Sequence, residues 1–179
     1  MLPVQTNRLL IYPCRLPLLT EIYLRHPHAA DKLSATLPDN WPQQELREML
    51  PHFIELLQHD PKSFPWLMWI IVNKEMKMVI GEVGFKGRPD ENGVIEIGYS
   101  LLPQYQRNGY MKEAATALVQ WAFGQPEVKK LVAESHLSNI GSIKVLTALG
   151  MKATGIDGEM QYWELINRRT NLPGSVAQT

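Results

Sequence analysis

Apolar positions along the chain change period several times, and each change marks an element. Arg8-Leu9-Leu10-Ile11-Tyr12 is rich in strand formers and closes at Pro13, which predicts a first strand. Behind Pro17, residues Leu18, Leu19, Ile22 and Tyr23 recur at helical spacing, a helix expected to end around Pro27. Asp31 to Pro42 has the composition of a loop. A second helix is expected from near Pro42, with Leu46, Met49, Leu50, Phe53, Ile54 and Leu57 as its buried stripe, and Pro51 could kink or divide it.

From Trp66 the period shortens. Trp66 to Val72 and Met78 to Phe85 read as two strands joined by the polar turn Asn73-Lys74-Glu75, and Val94 to Leu101 follows as a third after Pro89 to Gly93. Consecutive hairpins of this kind make an antiparallel meander. A long amphipathic helix follows Gly109, with Ala114, Ala115, Leu118, Val119, Ala122 and Phe123 on one face, and stops at Gly124 and Pro126. The short strand Leu131-Val132-Ala133 comes next, then a helix started by Asn139-Ile140-Gly141-Ser142 and stopped by Gly150. Strand, helix, strand in this order predicts a crossover that sets the later strand parallel to its predecessor. Lys152 to Ile156, the Asp157-Gly158 turn and Met160 to Ile166 form a last hairpin.

No repeat, low-complexity stretch or linker divides the pattern. It predicts one α/β (α+β) domain over residues 1–168, with a mixed, mostly antiparallel sheet of six to seven strands and helices on both faces. Residues 169–179, with Pro173-Gly174-Ser175 and no periodicity, are expected to be a flexible tail.

Composition removes several functions. Eighteen basic residues balance eighteen acidic ones, so nothing favours a nucleic-acid partner. The longest apolar run, Trp66 to Val72, is far short of the roughly 20 residues that cross a bilayer. Cys14 is the single cysteine, which excludes a disulfide framework or a cysteine-rich zinc site. With an N-terminus lacking the basic and apolar regions of a signal peptide, a cytoplasmic location is expected. His26-Pro27-His28 has no third ligand at regular spacing, so no metal site is expected.

The segment Gln106-Arg107-Asn108-Gly109-Tyr110-Met111 stands between a strand and a long helix. A chain turning there presents backbone N–H groups at a helix N-terminus, where an anion such as a pyrophosphate is favoured. Gly109 permits the turn and the close approach. The spaced glycines of a dinucleotide fold and the Gly-Lys-Ser/Thr of a triphosphate loop are both absent. One glycine before a helix is equally an ordinary turn, and the order of the surrounding motifs decides between the two.

The meander, then Glu96-Ile97-Gly98-Tyr99-Ser100-Leu101-Leu102-Pro103, then Gln-x-x-Gly-Tyr, a helix with Glu-Ala, Asn139-x-x-Ser142 and Leu149-Gly150-Met151, resembles the GNAT N-acetyltransferases from about Thr6 to Ile166. The opening Thr6-Asn7-Arg8-Leu9-Leu10-Ile11 looks like the ribosomal-protein N-terminal acetyltransferase (RimJ/RimL-like) branch. The resemblance implies transfer of an acetyl group from acetyl-CoA to a primary amine, foremost a protein or peptide N-terminal α-amine. A small-molecule amine acetyltransferase and a coenzyme A-binding module without turnover are the alternatives. It implies that the amides of Arg107, Asn108, Gly109, Tyr110 and Met111, with Gln106, hold the pyrophosphate. Leu101 and Leu102 would pair with the pantetheine arm, and Asn139 and Ser142 would lie near the thiol. Met111 replaces a usual small residue and Arg107 a common glycine, departures expected to alter affinity and not to abolish the site. Dimers are common in the branch, and an exposed edge or the terminal hairpin could pair.

Acetyl transfer needs a base for the amine and a proton for the thiolate. Glu96 alternates with Ile95 and Ile97 on the strand beside the expected cleft and is the first candidate base, with Glu82 in reserve. Many family members use a tyrosine four residues after the Ser142 position to protonate the thiolate. Leu146 stands there in this chain, which makes Ser142 the expected donor, with Tyr99 and His136 as further candidates. Acceptor choice is expected to lie between Leu24 and Pro65, where Trp41 and Phe64 could line a pocket.

Overall fold

The computed structural model describes residues 1–168, so the tail expected at 169–179 lies outside the described residues. The strands are β1 (Val4–Gln5), β2 (Leu9–Pro13), β3 (Met68–Asn73), β4 (Met78–Phe85), β5 (Val94–Leu101), β6 (Lys130–His136), β7 (Lys152–Asp157) and β8 (Met160–Ile166). The helices are α1 (Leu16–Tyr23), α2 (His28–Leu33), α3 (Gln44–His59), α4 (Tyr110–Phe123) and α5 (Ile140–Ala148). All strands join one sheet in the order β1-β2-β3-β4-β5-β6-β8-β7. Every neighbouring pair is antiparallel except β5–β6, the crossover through α4.

The sheet therefore has eight strands, one more than the upper bound read from the sequence. The addition is β1, whose Val4 and Gln5 pair with Ile11 and Leu10. Two residues show no alternation, so this strand exists through its turn: Thr6 N donates to Leu9 O, and Thr6 Oγ1 donates to Glu113 of α4 at 2.6 Å. Two further differences lie in the region before β3. Part of the expected loop is α2, where only Ala29 and Leu33 are buried, too short a signal for a period to emerge. Trp66 ends a 3₁₀ turn over Pro61–Trp66 capped by Asp60, so β3 begins two residues later than the apolar run.

Helices cover both faces and create two cores. On one side α4 lays Met111, Ala114, Ala115 and Leu118 against Ile80, Val83, Phe85, Ile95 and Ile97. Trp121 from α4 anchors this side, 5.0 Å from both Trp66 and Trp69, and aromatic pairs of this kind add about 0.5–1.5 kcal/mol beyond their area. On the other side α3 buries Leu46, Leu50, Phe53 and Leu57 over Met68, Ile70 and Val72. Met49 of the expected stripe is 42% exposed, because the buried face is narrower than the apolar one. Pro51 does not divide α3. It faces solvent, where water can satisfy the carbonyl that its missing N–H leaves free, and the buried residues on either side keep the helix in register.

Gly84 and Gly98 are partners across β4 and β5, yet their surroundings differ. A Cβ on Gly84 would lie 2.2 Å from the carbonyl oxygen of Leu67, whereas one on Gly98 meets nothing within 4 Å. Gly84→Ala is expected to destabilise the fold by about 1–3 kcal/mol, the usual cost of overpacking, while Gly98→Ala leaves the urea midpoint unchanged or higher. Urea titrations of both variants followed by tryptophan fluorescence check the contrast.

Candidate active site

Strands β5 and β6 separate soon after they meet. Their register holds only from Val94↔Lys130 to Glu96↔Val132, after which β6 continues with β8 and β5 continues with β4 as far as Gly81↔Leu101. Lys86 N donates to Glu96 O and Leu102 N to Ile80 O, so the even-numbered residues from Glu96 to Leu102 turn their backbone toward β4. Alternation then turns the N–H groups of Tyr99 and Leu101 into the gap. Lys86 pins the fork, its Nζ paired with Glu96 of β5 and, at 2.8 Å, with Glu134 of β6.

The turn before α4 faces the same gap. Arg107 and Gly109 both have left-handed backbone, φ 62° and 76°, and together with the free first amides of α4 they form a concave set of donors suited to an anion. For Arg107 this conformation costs on the order of 1 kcal/mol that glycine would not incur. Arg8 secures the turn from behind. Its Nη1 donates to Asn108 O at 3.0 Å, its Nε donates to Glu113 at 2.7 Å, and its guanidinium lies 4.4 Å from the Tyr110 ring centroid. Gln106 Nε2 donates to Leu101 O at 3.0 Å and ties the turn to the end of β5.

These elements enclose a cavity of about 600 Å³. Of the residues predicted to hold the cofactor, Leu101, Gln106, Arg107, Gly109, Tyr110, Met111, Asn139 and Ser142 line it, as does Tyr99. Leu102 does not; it is fully buried in the core under α3. Asn108 is outside the lining too, its side chain folded back onto Gln106 O at 2.9 Å. Met111, though in the lining, is 6% exposed and packs into the α4 core. Lys112 and Lys144 add two positive charges to the walls that sequence reasoning missed, since lysines on exposed helix faces carry no distinguishing signal.

Asn139 caps α5, accepting from Ser142 N at 2.9 Å. The hydroxyls of Ser142 and Tyr99 meet at 2.9 Å, from α5 and β5 respectively. Burial raises the Tyr99 pKa against the opposing bond to Ser142, so the phenol keeps its proton at neutral pH. Leu146, the position expected to lack a tyrosine, is fully buried. A tyrosine hydroxyl thus reaches Ser142 from another element. His136 lies apart, its ring nitrogens engaged by Ser138 and Glu159 at the surface.

A second cavity, about 230 Å³, opens between α3 and the other face of the sheet. It shares Tyr99 and Ser100 with the first, so the two meet at the end of β5. Glu82 lies in its wall, opposite Ser100 in the register. Burial pushes the Glu82 pKa up to about 7; the Trp41 indole N–H donating at 2.7 Å works against the shift, and the charge of Glu45 adds to it. Glu96 lines neither cavity, its carboxylate being held by Lys86 at the fork. A carboxylate within the apolar run Val79 to Phe85 was the signal for Glu82. Its Trp41 partner, 41 residues away, left none. Among the described residues no group of three or more His, Cys, Asp and Glu could hold a metal.

The family model described as Acetyltransferase (GNAT) domain matches residues 8–152. The uncharacterized N-acetyltransferase YjdG of Bacillus subtilis (strain 168) is 33% identical over 168 residues, covering 94% of this chain and all of that protein. Among solved structures, the ribosomal-protein-S5-alanine acetyltransferase of Vibrio fischeri is similar with a TM-score of 0.65 at 20% identity, over 94% of this chain and 98% of that one. RimL, a ribosomal L7/L12 alpha-N-protein acetyltransferase solved with coenzyme A, gives 0.62 at 20% identity, over 92% and 97%. At these identities the structural likeness is one of fold.

The raised Glu82 pKa fixes a sign. The folded chain binds this proton more tightly than the unfolded chain, so the associated stability is complete below the ordinary glutamate pKa and is lost as pH rises through about 7. Relative to Glu82→Gln, the protein is expected to lose up to about 3 kcal/mol between pH 5 and pH 8, at about 1.4 kcal/mol per pKa unit. Denaturant titrations of both proteins across that range measure it.

Proposed function

The chain belongs to the GNAT acetyltransferase family, and on that premise we propose that it transfers an acetyl group from acetyl-CoA to a primary amine, foremost the α-amine of a protein or peptide N-terminus. The observation that carries this reading is the meeting of two cavities at Tyr99 and Ser100, one walled by backbone donors and lysines and the other by a buried carboxylate. The opening Thr6-Asn7-Arg8-Leu9 and the likeness in fold to ribosomal-protein acetyltransferases support the RimJ/RimL-like branch and its α-amine acceptor.

The residues present fit acetyl-CoA. The left-handed pair at Arg107 and Gly109, with the first amides of α4, offers a pyrophosphate several donors at the positive end of a helix. Lys112 and Lys144 supply countercharge. The Tyr99 and Leu101 amides, turned into the gap beyond the fork, can donate to the carbonyl groups of an extended arm as an added strand would. Acetyl-CoA brings an acyl group already activated as a thioester.

The chain then has two proton tasks. Glu82, with a pKa near 7, takes a proton from the amine nitrogen at its carboxylate, directly or through water. An α-amine of pKa about 7.7–8.0 is already partly neutral at pH 7, so a base of this strength suffices. As nitrogen bonds to the acetyl carbon and the carbon–sulfur bond breaks, the Tyr99–Ser142 pair provides a proton for the departing sulfur. An N–H of β5 facing the gap steadies the carbonyl oxygen. Glu96 keeps a positioning role, holding β5 through Lys86 at the fork.

Release of free thiol from acetyl-CoA, followed with the purified protein and a panel of N-terminal peptides and small amines, tests the reading. Tight binding of acetyl-CoA with no thiol released by any amine would overturn it. Gly109→Glu, which places a carboxylate among the phosphate donors, is expected to raise the acetyl-CoA Kd by at least about tenfold in calorimetry, the equivalent of 1.4 kcal/mol. The pH profile of kcat/KM should rise through about 7 as Glu82 deprotonates. Glu82→Gln should lower the plateau by about 10²-fold or more and remove that limb, leaving the one set by the amine.

A further inference from the structure

The cavity around Glu82 is polar at one end only. Its walls come from Leu46, Met49 and Phe53 of α3 and from Met68 of β3, all apolar. Glu82 and Ser100 stand together at the end shared with the first cavity, with Ser100 Oγ donating to Gln43 at 2.8 Å. Lys86 reaches the wall too, but its ammonium is occupied by Glu96 and Glu134. An occupant of this slot therefore meets negative charge and hydrogen-bond partners at one end, and hydrocarbon elsewhere.

We propose that the acceptor is a primary amine carrying a compact apolar group, of the size of a leucine, methionine or phenylalanine side chain, seated over Gly98 with its nitrogen between Glu82 and Ser100. This proposal rests on the acetyl-transfer reading above and names the substrate class of that site. Charge complementarity fixes the orientation, since an ammonium belongs beside Glu82. An acidic side chain on the acceptor meets Glu82 and Glu45, both in the lining. A lysine or glutamine side chain gives up its hydration to a wall that is largely hydrocarbon. A glycine or alanine leaves the slot unfilled and forgoes the burial.

Size points the same way. An apolar cavity of about 150 Å³ holds benzene, and drug-sized ligands occupy about 300 Å³ or more. At about 230 Å³, the slot takes one side chain and its amine, so the rest of a peptide would lie outside it. Gly98 makes the room, since a Cβ there meets nothing within 4 Å and its backbone is not left-handed. A side chain at position 98 thus enters the slot without straining the strand.

The test measures thiol release with phenylalaninamide, leucinamide, isopentylamine and a leucine-initiated tripeptide, against glycinamide, aspartic acid 1-amide and lysinamide. The apolar α-amines are expected to exceed glycinamide in kcat/KM by at least about tenfold, as burial of one such side chain implies. Gly98→Leu should abolish that preference with the acetyl-CoA Kd unchanged. Gly98→Ala should reduce it for phenylalaninamide more than for leucinamide, which keeps the test sound if the larger variant folds poorly. Turnover of the tripeptide marks a peptide N-terminus as the source of the amine, and turnover of isopentylamine alone marks a small molecule; either supports the slot. Equal turnover of all amines, or a preference for the charged ones, overturns the slot while acetyl transfer stands. Absence of thiol release with every amine, acetyl-CoA being bound, removes both.

Discussion

Beyond Glu96, strand β5 has a partner along one backbone edge and, among the described residues, none along the other. Its even-numbered residues complete their hydrogen bonds with β4, and β6 leaves to pair with β8. Backbone N–H groups in a folded protein are almost always paired, so a strand that withholds its edge from the sheet leaves it open to another occupant. The fork is held at its base by Lys86, which draws Glu96 and Glu134 together where the strands part. Burial disfavours the charge on Lys86, yet the two carboxylates keep its pKa above the ordinary lysine value. The gap is thus a fixed feature of the sheet, and α4 and α5 both begin at its margin.

The two faces of the sheet use different chemistry around that gap. On the α4 face the donors are largely backbone, from the Arg107–Gly109 turn and the first turn of α4, and side chains such as Arg8, Gln106 and Asn139 shape them. Backbone donors suit a ligand common to a whole family, because they depend on conformation more than on residue identity. On the α3 face the groups are side chains, chiefly Glu82 with Trp41 and the apolar wall of α3. Residue identity sets their chemistry.

Arg8 and Glu113 join these parts at long range. Glu113 accepts from Thr6 Oγ1, Arg8 N and Arg8 Nε, so one carboxylate on α4 fixes the start of β2 and the arginine behind the turn that opens α4. Burial opposes the charge on Glu113, but these bonds hold its pKa below the usual carboxylate value. The opening Thr-x-Arg of the chain thereby acquires a physical role. It closes a two-residue strand against the sheet and braces the turn that faces the cavity between β5, α4 and α5.

The sequence by itself determined most of the elements, the parallel crossover after β5 and the position of the glycine turn before α4. Each depends on local information: the period of apolar residues, a glycine before a helix, a capping asparagine three residues before Ser142. Tertiary structure decided what those signals do not contain. Alternation set Glu96 and Glu82 on one face of the sheet, and only the fork at Lys86 and the cover of α3 sent one carboxylate to an ion pair and the other to a buried wall. Leu102 and Asn108 sat within the expected stretch, yet the end of β5 turned one into the core and the turn folded the other back on itself. The contacts that shape the site, Trp41 with Glu82, Tyr99 with Ser142 and Arg8 with Glu113, join residues 41, 43 and 105 positions apart. A period or a spacing reports neighbours a few residues away, whereas partners at such separations are chosen by the packing of whole layers.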